Sequence, residues 1–289
     1  MKNDIFNYKF KDNLPIGFEC IPLAELYTKS RELMTTPHRT SFYHIIWFKK
    51  GGFNHSVDFY PIYIEDNTLL FLSKDIVQSF DASASMEGTV ILFTETFFCQ
   101  SEADAQFLKE TILFNDLFSV PAFRLNDNIN VFNSLIGLIE EETGKPEDTY
   151  QSKILKTYLL AFLLSAERER RMHDFKEIKK GPDLEYLLSF RHLLESGFHV
   201  NKQVNFYAGK LNLTDKRLSQ STFRVLGKTA KQMIDDRVML EARRLLAHTR
   251  DTVKSIGYQL GFEEPTNFIK YFRKHSRQTP AGFREKCIV

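Results

Sequence analysis

The feature that most constrains this chain is a weak internal repeat in its last third. Phe206-Tyr207-Ala208-Gly209-Lys210-Leu211-Asn212-Leu213 is followed by a segment around Leu218–Arg224 and then by Gly227-Lys228-Thr229. Further on, Ser255-Ile256-Gly257-Tyr258-Gln259-Leu260-Gly261-Phe262 is followed by Phe268–Lys274 and by Thr279. Ala208, Leu211 and Leu213 align with Gly257, Leu260 and Phe262 at an offset of 49, and Leu218, Arg224 and Thr229 with Phe268, Lys274 and Thr279 at an offset of 50. Each copy predicts a short helix, a tight turn and a second helix. The small residue, Ala208 or Gly257, lets the two helices cross closely, while Leu211 with Leu213, and Leu260 with Phe262, fill the core at the turn. Thr214-Asp215 supplies a cap for the second helix of the first copy. Glu263, Glu264 and Pro265 suit the start of its counterpart, by dipole and by fixed φ.

A helical hairpin of this form is the helix-turn-helix arrangement, whose second helix enters the DNA major groove by its N-terminal residues. One copy is a weak signal, because helical hairpins are common. Two copies are stronger, and charge agrees with them. The whole chain carries a net +2, but residues 183–289 hold 19 Lys and Arg against 11 Asp and Glu, a net +8, while residues 1–182 hold 20 against 26, a net −6. A basic segment that carries two groove-reading helices points to a polyanion. Between the copies, Asp236–Ala247 predicts a continuous helix with Val238, Leu240, Ala242, Leu245 and Leu246 as its apolar contacts. A rigid connector would place the two recognition helices in major-groove segments about one turn, roughly 34 Å, apart.

A chain of 289 residues, 43% hydrophobic and 26% charged, is long enough for two globular domains and too apolar for a disordered one. The earlier part reads as β structure. Ser41–Lys49 is β-branched and aromatic and stops at Gly51-Gly52, and Phe53–Tyr60 follows at hairpin distance. Pro61–Ile64, the turn Asp66-Asn67, Leu69–Leu72 and Gly88–Thr94 continue the pattern, as in a small barrel or sandwich. From Asn126 the period becomes helical through Ile129, Phe132, Leu135, Ile136 and Ile139, and a second helix runs over Ser152–Arg171. This pair either caps the β domain or offers a dimer seam. His173–Pro182 is polar and ends in Gly-Pro, the composition of a linker. The domains expected are therefore 1–125, 126–172, a linker at 173–182, and 183–289. The start of the chain, Met1–Phe10, carries Lys2, Asp4 and Lys9 where a signal peptide needs an apolar run, and no apolar run is long enough to span a bilayer, so a cytoplasmic location and no membrane contact are expected. Cys20, Cys99 and Cys287 lack metal-like spacing and read as buried thiols.

Asn205–Glu285 resembles the DNA-binding domain of the AraC/XylS transcription regulators. The residues that carry the likeness are Arg237-Val238, Glu241-Ala242-Arg243-Arg244-Leu245-Leu246, Ile256-Gly257-Tyr258-Gln259-Leu260-Gly261-Phe262, and Thr279-Pro280 with Phe283-Arg284. From Pro37-His38-Arg39 through Gly51-Gly52 the chain is similar, more loosely, to the cupin-like effector domain of that family. The resemblance implies an α+β chain, with a cupin-like β barrel and a helical pair followed by an all-α domain of two helix-turn-helix units. It implies a regulator of transcription acting on double-stranded DNA, with RNA polymerase as a partner, a small-molecule effector and a homodimer. The family has Ala where Gly257 stands and Gly where Arg277 stands. Gly within a helix costs about 1 kcal/mol relative to Ala, and loss of a left-handed cap at Arg277 bears on the helix end.

On the first recognition helix Leu218 and Val225 face inward and Asp215, Lys216, Ser219 and Gln220 outward. Lys216 and Gln220 lie one turn apart on one face; Lys can donate to guanine O6/N7, and Gln can pair with adenine N6/N7. The family pattern places base contacts at these positions, with Arg217 a further candidate. The repeat maps Lys216, Arg217 and Gln220 onto Thr266, Asn267 and Lys270. Arg224, Arg273 and Lys274, at the far ends of their helices, suit phosphates.

In the β domain His38, His44 and His55 invite a metal, but their spacings of six and eleven lack the HxH pair of metal cupins. No catalytic residue, metal or cofactor is expected, and no Walker loop, GxGxxG, GxSxG or HExxH is present. Strand alternation puts Phe42, His44, Ile46 and Phe48 on one face and Tyr43, Ile45 and Trp47 on the other, without saying which lines the interior. The abundant aromatics allow an apolar effector pocket. The reading is a non-enzymatic, effector-responsive regulator; the alternatives are a cupin-type metalloenzyme domain fused to a DNA-targeting module and a ligand-independent DNA-binding protein.

Overall fold

A computed structural model describes residues 6–8, 16–82, 85–117, 120–126, 128–172 and 181–287. The chain forms two compact units that divide within residues 173–180. Of the expected linker, all but Gly181 and Pro182 lies outside the described residues, as do parts of the Met1–Phe10 start.

The first unit runs β1 Phe6–Tyr8, β2 Phe18–Pro22, α1 Leu23–Thr35, β3 His38–Thr40, β4 Tyr43–Phe48, β5 Phe53–Val57, β6 Tyr60–Ile64, β7 Thr68–Leu72, β8 Gln78–Ser79, β9 Gly88–Phe93, α2 Glu95–Phe98, α3 Glu102–Glu110, α4 Ile112–Asn115, β10 Ala122–Arg124, α5 Ile129–Thr143 and α6 Gln151–Met172. The strands make two sheets, β1-β3-β8-β5-β6 and β10-β7-β4-β9-β2. Described pairings are antiparallel apart from β1 beside β3.

Sequence spacing predicts a β4–β5 hairpin across Gly51-Gly52, and the structure overturns it. β4 lies between β7 and β9, while β5 lies between β6 and β8 in the other sheet. The reason is burial: every residue of β4 is buried, which only a central strand covered on both faces achieves, whereas β5 alternates buried and exposed positions. Gly51 and Gly52 instead carry the chain from one sheet to the other. A Cβ on Gly51 would fall 2.3 Å from the Glu65 carbonyl carbon, and Gly52 has φ 93°. The real hairpin is β5–β6, where Val57 faces Tyr60 across Asp58 and Phe59, both left-handed at φ 47° and 73°. Two positive φ values are the mark of the tight I′ connection, here built without Asn-Gly, and they interrupt the strand expected over Phe53–Tyr60.

The alternation in β4 is now assigned. Phe42, Ile46 and Phe48 pack in the interior between the sheets with Val57, Ile64, Leu72 and Phe80. Tyr43, Ile45 and Trp47 point the other way, against Phe132, Ile136, Leu159 and Phe162 of α5 and α6. The helical pair thus covers the second sheet. Cys20, Cys99 and Cys287 are free thiols, half-buried rather than buried.

The second unit is helical: α7 Pro182–Gly197, α8 Val204–Lys210, α9 Asp215–Leu226, α10 Ala230–His248, α11 Val253–Gln259, α12 Pro265–Ser276 and α13 Pro280–Lys286. The molecule is therefore α+β, with β structure and helix segregated along the chain. No helix among the described residues is long and apolar enough to cross a membrane.

Candidate nucleic-acid interface

Helices α8 and α9, and α11 and α12, are built alike from matching residues. Each turn closes with the same backbone bond, Leu213 N–H to Ala208 O at 2.9 Å and Phe262 N–H to Gly257 O at 3.0 Å. Leu218 and Phe268, at equivalent places on α9 and α12, are fully buried. The small residue under each crossing is buried, and at Gly257 a Cβ would stand 3.2 Å from Phe268 Cβ. Phe268 is larger than Leu218, so the second unit trades Ala for Gly to let the bulkier side chain in. The second helix of each pair ends on a left-handed residue, Gly227 at φ 68° and Arg277 at φ 59°. Arg277 thus keeps the cap conformation that glycine would adopt more cheaply.

Caps set where each helix begins. Thr214 Oγ1 accepts from Arg217 N–H at 3.2 Å, which starts α9. Thr229 and Gln232 form a reciprocal capping box that starts α10. Pro265 opens α12 at its first turn without a side-chain cap.

The connector α10 is longer than its sequence core and carries the motif residues as scaffold. Arg237 pairs with Glu195 of α7 at 2.7 Å and with Glu241 at 3.2 Å, and lies 3.9 Å over the Phe198 ring. Arg244 pairs with Glu241 at 3.0 Å, and both are buried. Arg284 donates to the Leu246 and Asp251 carbonyls at 3.1 and 2.6 Å, fastening α13 to the end of α10.

Of the candidate base-reading residues, Lys216, Gln220, Thr266, Asn267 and Lys270 are exposed. Asp215 is also exposed, Ser219 is half-buried, and Ser221 and Thr222 join Leu218 on the inner face, where Val225 is only half-buried. Arg217 departs from the expectation. Its guanidinium pairs with Asp183 of α7 at 2.9 Å and lies 5.4 Å from the Tyr186 ring centre. Arg224, a candidate for phosphate, also reaches Asp183, at 3.2 Å. Asp183 accepts from Ser221 Oγ at 2.8 Å as well, and that bond together with Arg224 and Arg217 holds its carboxyl below the usual range. Arg273 and Lys274 are exposed, and with Lys216 and Lys270 they make no ion pair among the described residues.

Sequence reasoning missed the two aspartates that seat the units. Asp183 anchors α9 on α7. Asp235, on α10, accepts from Lys231 Nζ at 2.6 Å and from Tyr271 Oη of α12 at 2.6 Å, with His275 at 3.9 Å. Both act across long sequence separations, and no local pattern marks either.

In the first unit His38, His44 and His55 are buried. His38 Nδ1 lies 3.0 Å from Thr36 O, His44 Nδ1 3.4 Å from Thr40 Oγ1, and His55 Nε2 3.1 Å from Gln78 Oε1. Burial pushes His44 and His55 down to about 3, helped by the neighbouring histidines, so all three sit in the apolar interior as neutral rings near neutral pH.

Residues 207–286 match the family model described as a helix-turn-helix domain. The chain is 24% identical over 156 residues to the HTH-type transcriptional activator RhaS of Pectobacterium atrosepticum, covering 54% of this chain and 53% of that protein. It is 27% identical over 159 residues to the arabinose operon regulatory protein of Escherichia coli, covering 54% and 52%. It spans about half the length of the curated relatives it matches. Among solved structures, ToxT from Vibrio cholerae is similar over 92% of this chain and 94% of that chain, at 15% identity and a TM-score of 0.43.

Proposed function

We propose that this chain, whose residues 207–286 form a helix-turn-helix domain of the AraC/XylS type, is a sequence-specific transcription regulator. It binds double-stranded DNA through both units. The observation that carries the reading is the duplicated geometry: two exposed recognition-helix starts, at Lys216 and Thr266, on like-built hairpins joined by one 19-residue helix. Lys216, Gln220, Thr266, Asn267 and Lys270 read bases; Arg273 and Lys274 hold phosphates. Arg217 and Arg224 serve first to seat α9 on α7, and reach DNA only by leaving Asp183.

The first unit is the sensing part in this reading, holding a small molecule against its aromatic interior. The names of the relatives, a transcriptional activator and an operon regulatory protein, bring RNA polymerase in as a partner. Val131 and Leu138, two turns apart on α5 and 46% and 41% exposed, form the candidate seam of a homodimer. The work of the chain is regulation rather than catalysis, carried out in the cytoplasm.

Selection of bound duplexes from a random pool by the full chain tests this. The expected product is a motif with two contacted segments about one helical turn apart. Failure to enrich any motif under conditions where nonspecific binding is seen would overturn it.

A further inference from the structure

An open concavity of about 460 Å³ lies where the two helix-turn-helix units meet. Its walls include Lys202 and Val204 at the approach to α8, Asp215 at the start of α9, Lys231 in the first turn of α10 and Tyr271 midway along α12. Both units and their connector therefore contribute. The junction is a close one: a Cβ on Gly261, in the turn of the second unit, would fall 1.7 Å from the His199 carbonyl oxygen ahead of the first. Lys202 bridges it. Its Nζ donates to Gly261 O at 3.1 Å and lies 4.4 Å over the Phe262 ring. Lys231 Nζ in turn donates to Lys202 O at 3.3 Å.

The charges at this junction are not balanced locally. Lys231 has Asp235 at 2.6 Å, but Lys202 makes no ion pair with a carboxylate among the described residues. Burial, and then the ammonium of Lys231, hold Lys202 below the ordinary lysine range. Two ammonium groups that converge in a partly desolvated hollow favour an anion between them. The position of the hollow says which. Its rim carries Asp215, beside Lys216 on the first recognition helix, and Tyr271, beside Lys270 on the second. A duplex read by both helices passes its backbone between the two major-groove segments, across this rim.

We propose that the concavity seats one DNA backbone phosphate, held by the ammonium groups of Lys202 and Lys231, on the strand that crosses between the two contacted segments. The proposal rests on the DNA-binding reading above. A lysine point charge suits a contact that positions the duplex without reading its sequence. Because Lys202 also ties the first unit to the turn of the second, the phosphate would be felt only when both units are docked.

The test walks a single methylphosphonate along each strand of a duplex obtained by selection and measures binding by the full chain and by Lys202→Met, which keeps the aliphatic stem over Phe262. For the wild type, one neutral linkage between the two segments should weaken binding about three- to tenfold, and the slope of log K against log salt should be about 0.9 steeper than for Lys202→Met. That linkage should cost Lys202→Met less than about twofold, since the contact is already lost. Lys202→Arg should restore both sensitivities, and Lys231→Gln should reduce them; these two variants decide the matter if Lys202→Met does not fold. A scan in which no linkage couples to Lys202 or Lys231, while the wild type still selects its motif, overturns this proposal and leaves the regulator reading standing. A wild type that selects no motif removes both. A flat scan with wild-type stabilisation by inorganic phosphate that Lys202→Met loses would assign the hollow to a free oxyanion, and would likewise overturn the DNA contact.

Discussion

The first helix-turn-helix unit turns at Asn212 and the second at Gly261, both in left-handed backbone at φ 55° and 72°. Their surroundings differ. Asn212 is exposed, whereas Gly261 meets the His199 carbonyl. Locally equivalent positions are therefore under unequal constraint, because the second turn is also the joint between units. Gly261→Ala is expected to show the largest effect on stability, about 3 kcal/mol or more, from a strained φ and a backbone overlap that cannot relax. Asn212→Ala should cost about 1 kcal/mol, the conformational part alone. Urea unfolding of the two variants checks this, and equal costs would break the comparison.

The units also differ in how they are seated. Asp235 is the more buried anchor, its side chain 12% exposed against 27% for Asp183. Asp235→Ala strands the Tyr271 hydroxyl and Lys231 in a sheltered place and should cost about 2–3 kcal/mol. Asp183→Ala breaks pairs that solvent already screens and should cost about 1 kcal/mol. It should also free Arg217 and Arg224, so that random-sequence DNA binds more tightly, not less. Thermal midpoints and affinity for a random duplex separate the two outcomes.

On DNA, the contrast is between reading and holding. Lys216→Ala and Gln220→Ala are expected to relax choice at particular base pairs by about 1–3 kcal/mol. Arg273→Ala should weaken all sequences alike and flatten the salt dependence, and Arg224→Ala should do so less, since its guanidinium is engaged by Asp183. Equal losses on specific and random duplexes for every variant would remove the base-reading assignment.

How much of this was legible in sequence follows the range of the interactions. The two turns were, because Leu211 with Leu213, Leu260 with Phe262, and the threonine at position 214 act within a few residues. The α+β division was, because the hydrophobic period changes near Asn126. The β4–β5 pairing was not: Gly51-Gly52 has the composition of a hairpin turn, and only the burial of both faces of β4 shows that the chain changes sheets there. The β5–β6 turn escaped because Asp58-Phe59 lacks the usual glycine. At the interface, exposed positions such as Lys216 and Lys270 could be placed by helical spacing alone. The commitment of Arg217 and Arg224 could not, since Asp183 lies 41 residues before Arg224. The glycine at 257 looked like a defect in a helix until Phe268 Cβ was found 3.2 Å from where its side chain would begin.

The smallest contrast is at the ends of the recognition helices, where both units need a left-handed residue and only the first supplies glycine. Gly227 meets nothing within 4 Å of an added Cβ, so its value is purely conformational. Arg277 adopts φ 59° with its Cβ in place, and its N–H still donates to Arg273 O at 2.9 Å. The backbone bond is made, and the strain is borne by the residue. Arg277→Gly should therefore stabilise the folded chain by about 1 kcal/mol, partly offset by the greater freedom of glycine when unfolded. Gly227→Ala should destabilise by a similar amount. Because Arg277 makes no ion pair among the described residues, the gain should persist at high salt, which distinguishes relief of backbone strain from a change of surface charge. A loss of stability in Arg277→Gly at every ionic strength would show that the arginine side chain, rather than its φ, holds the end of α12.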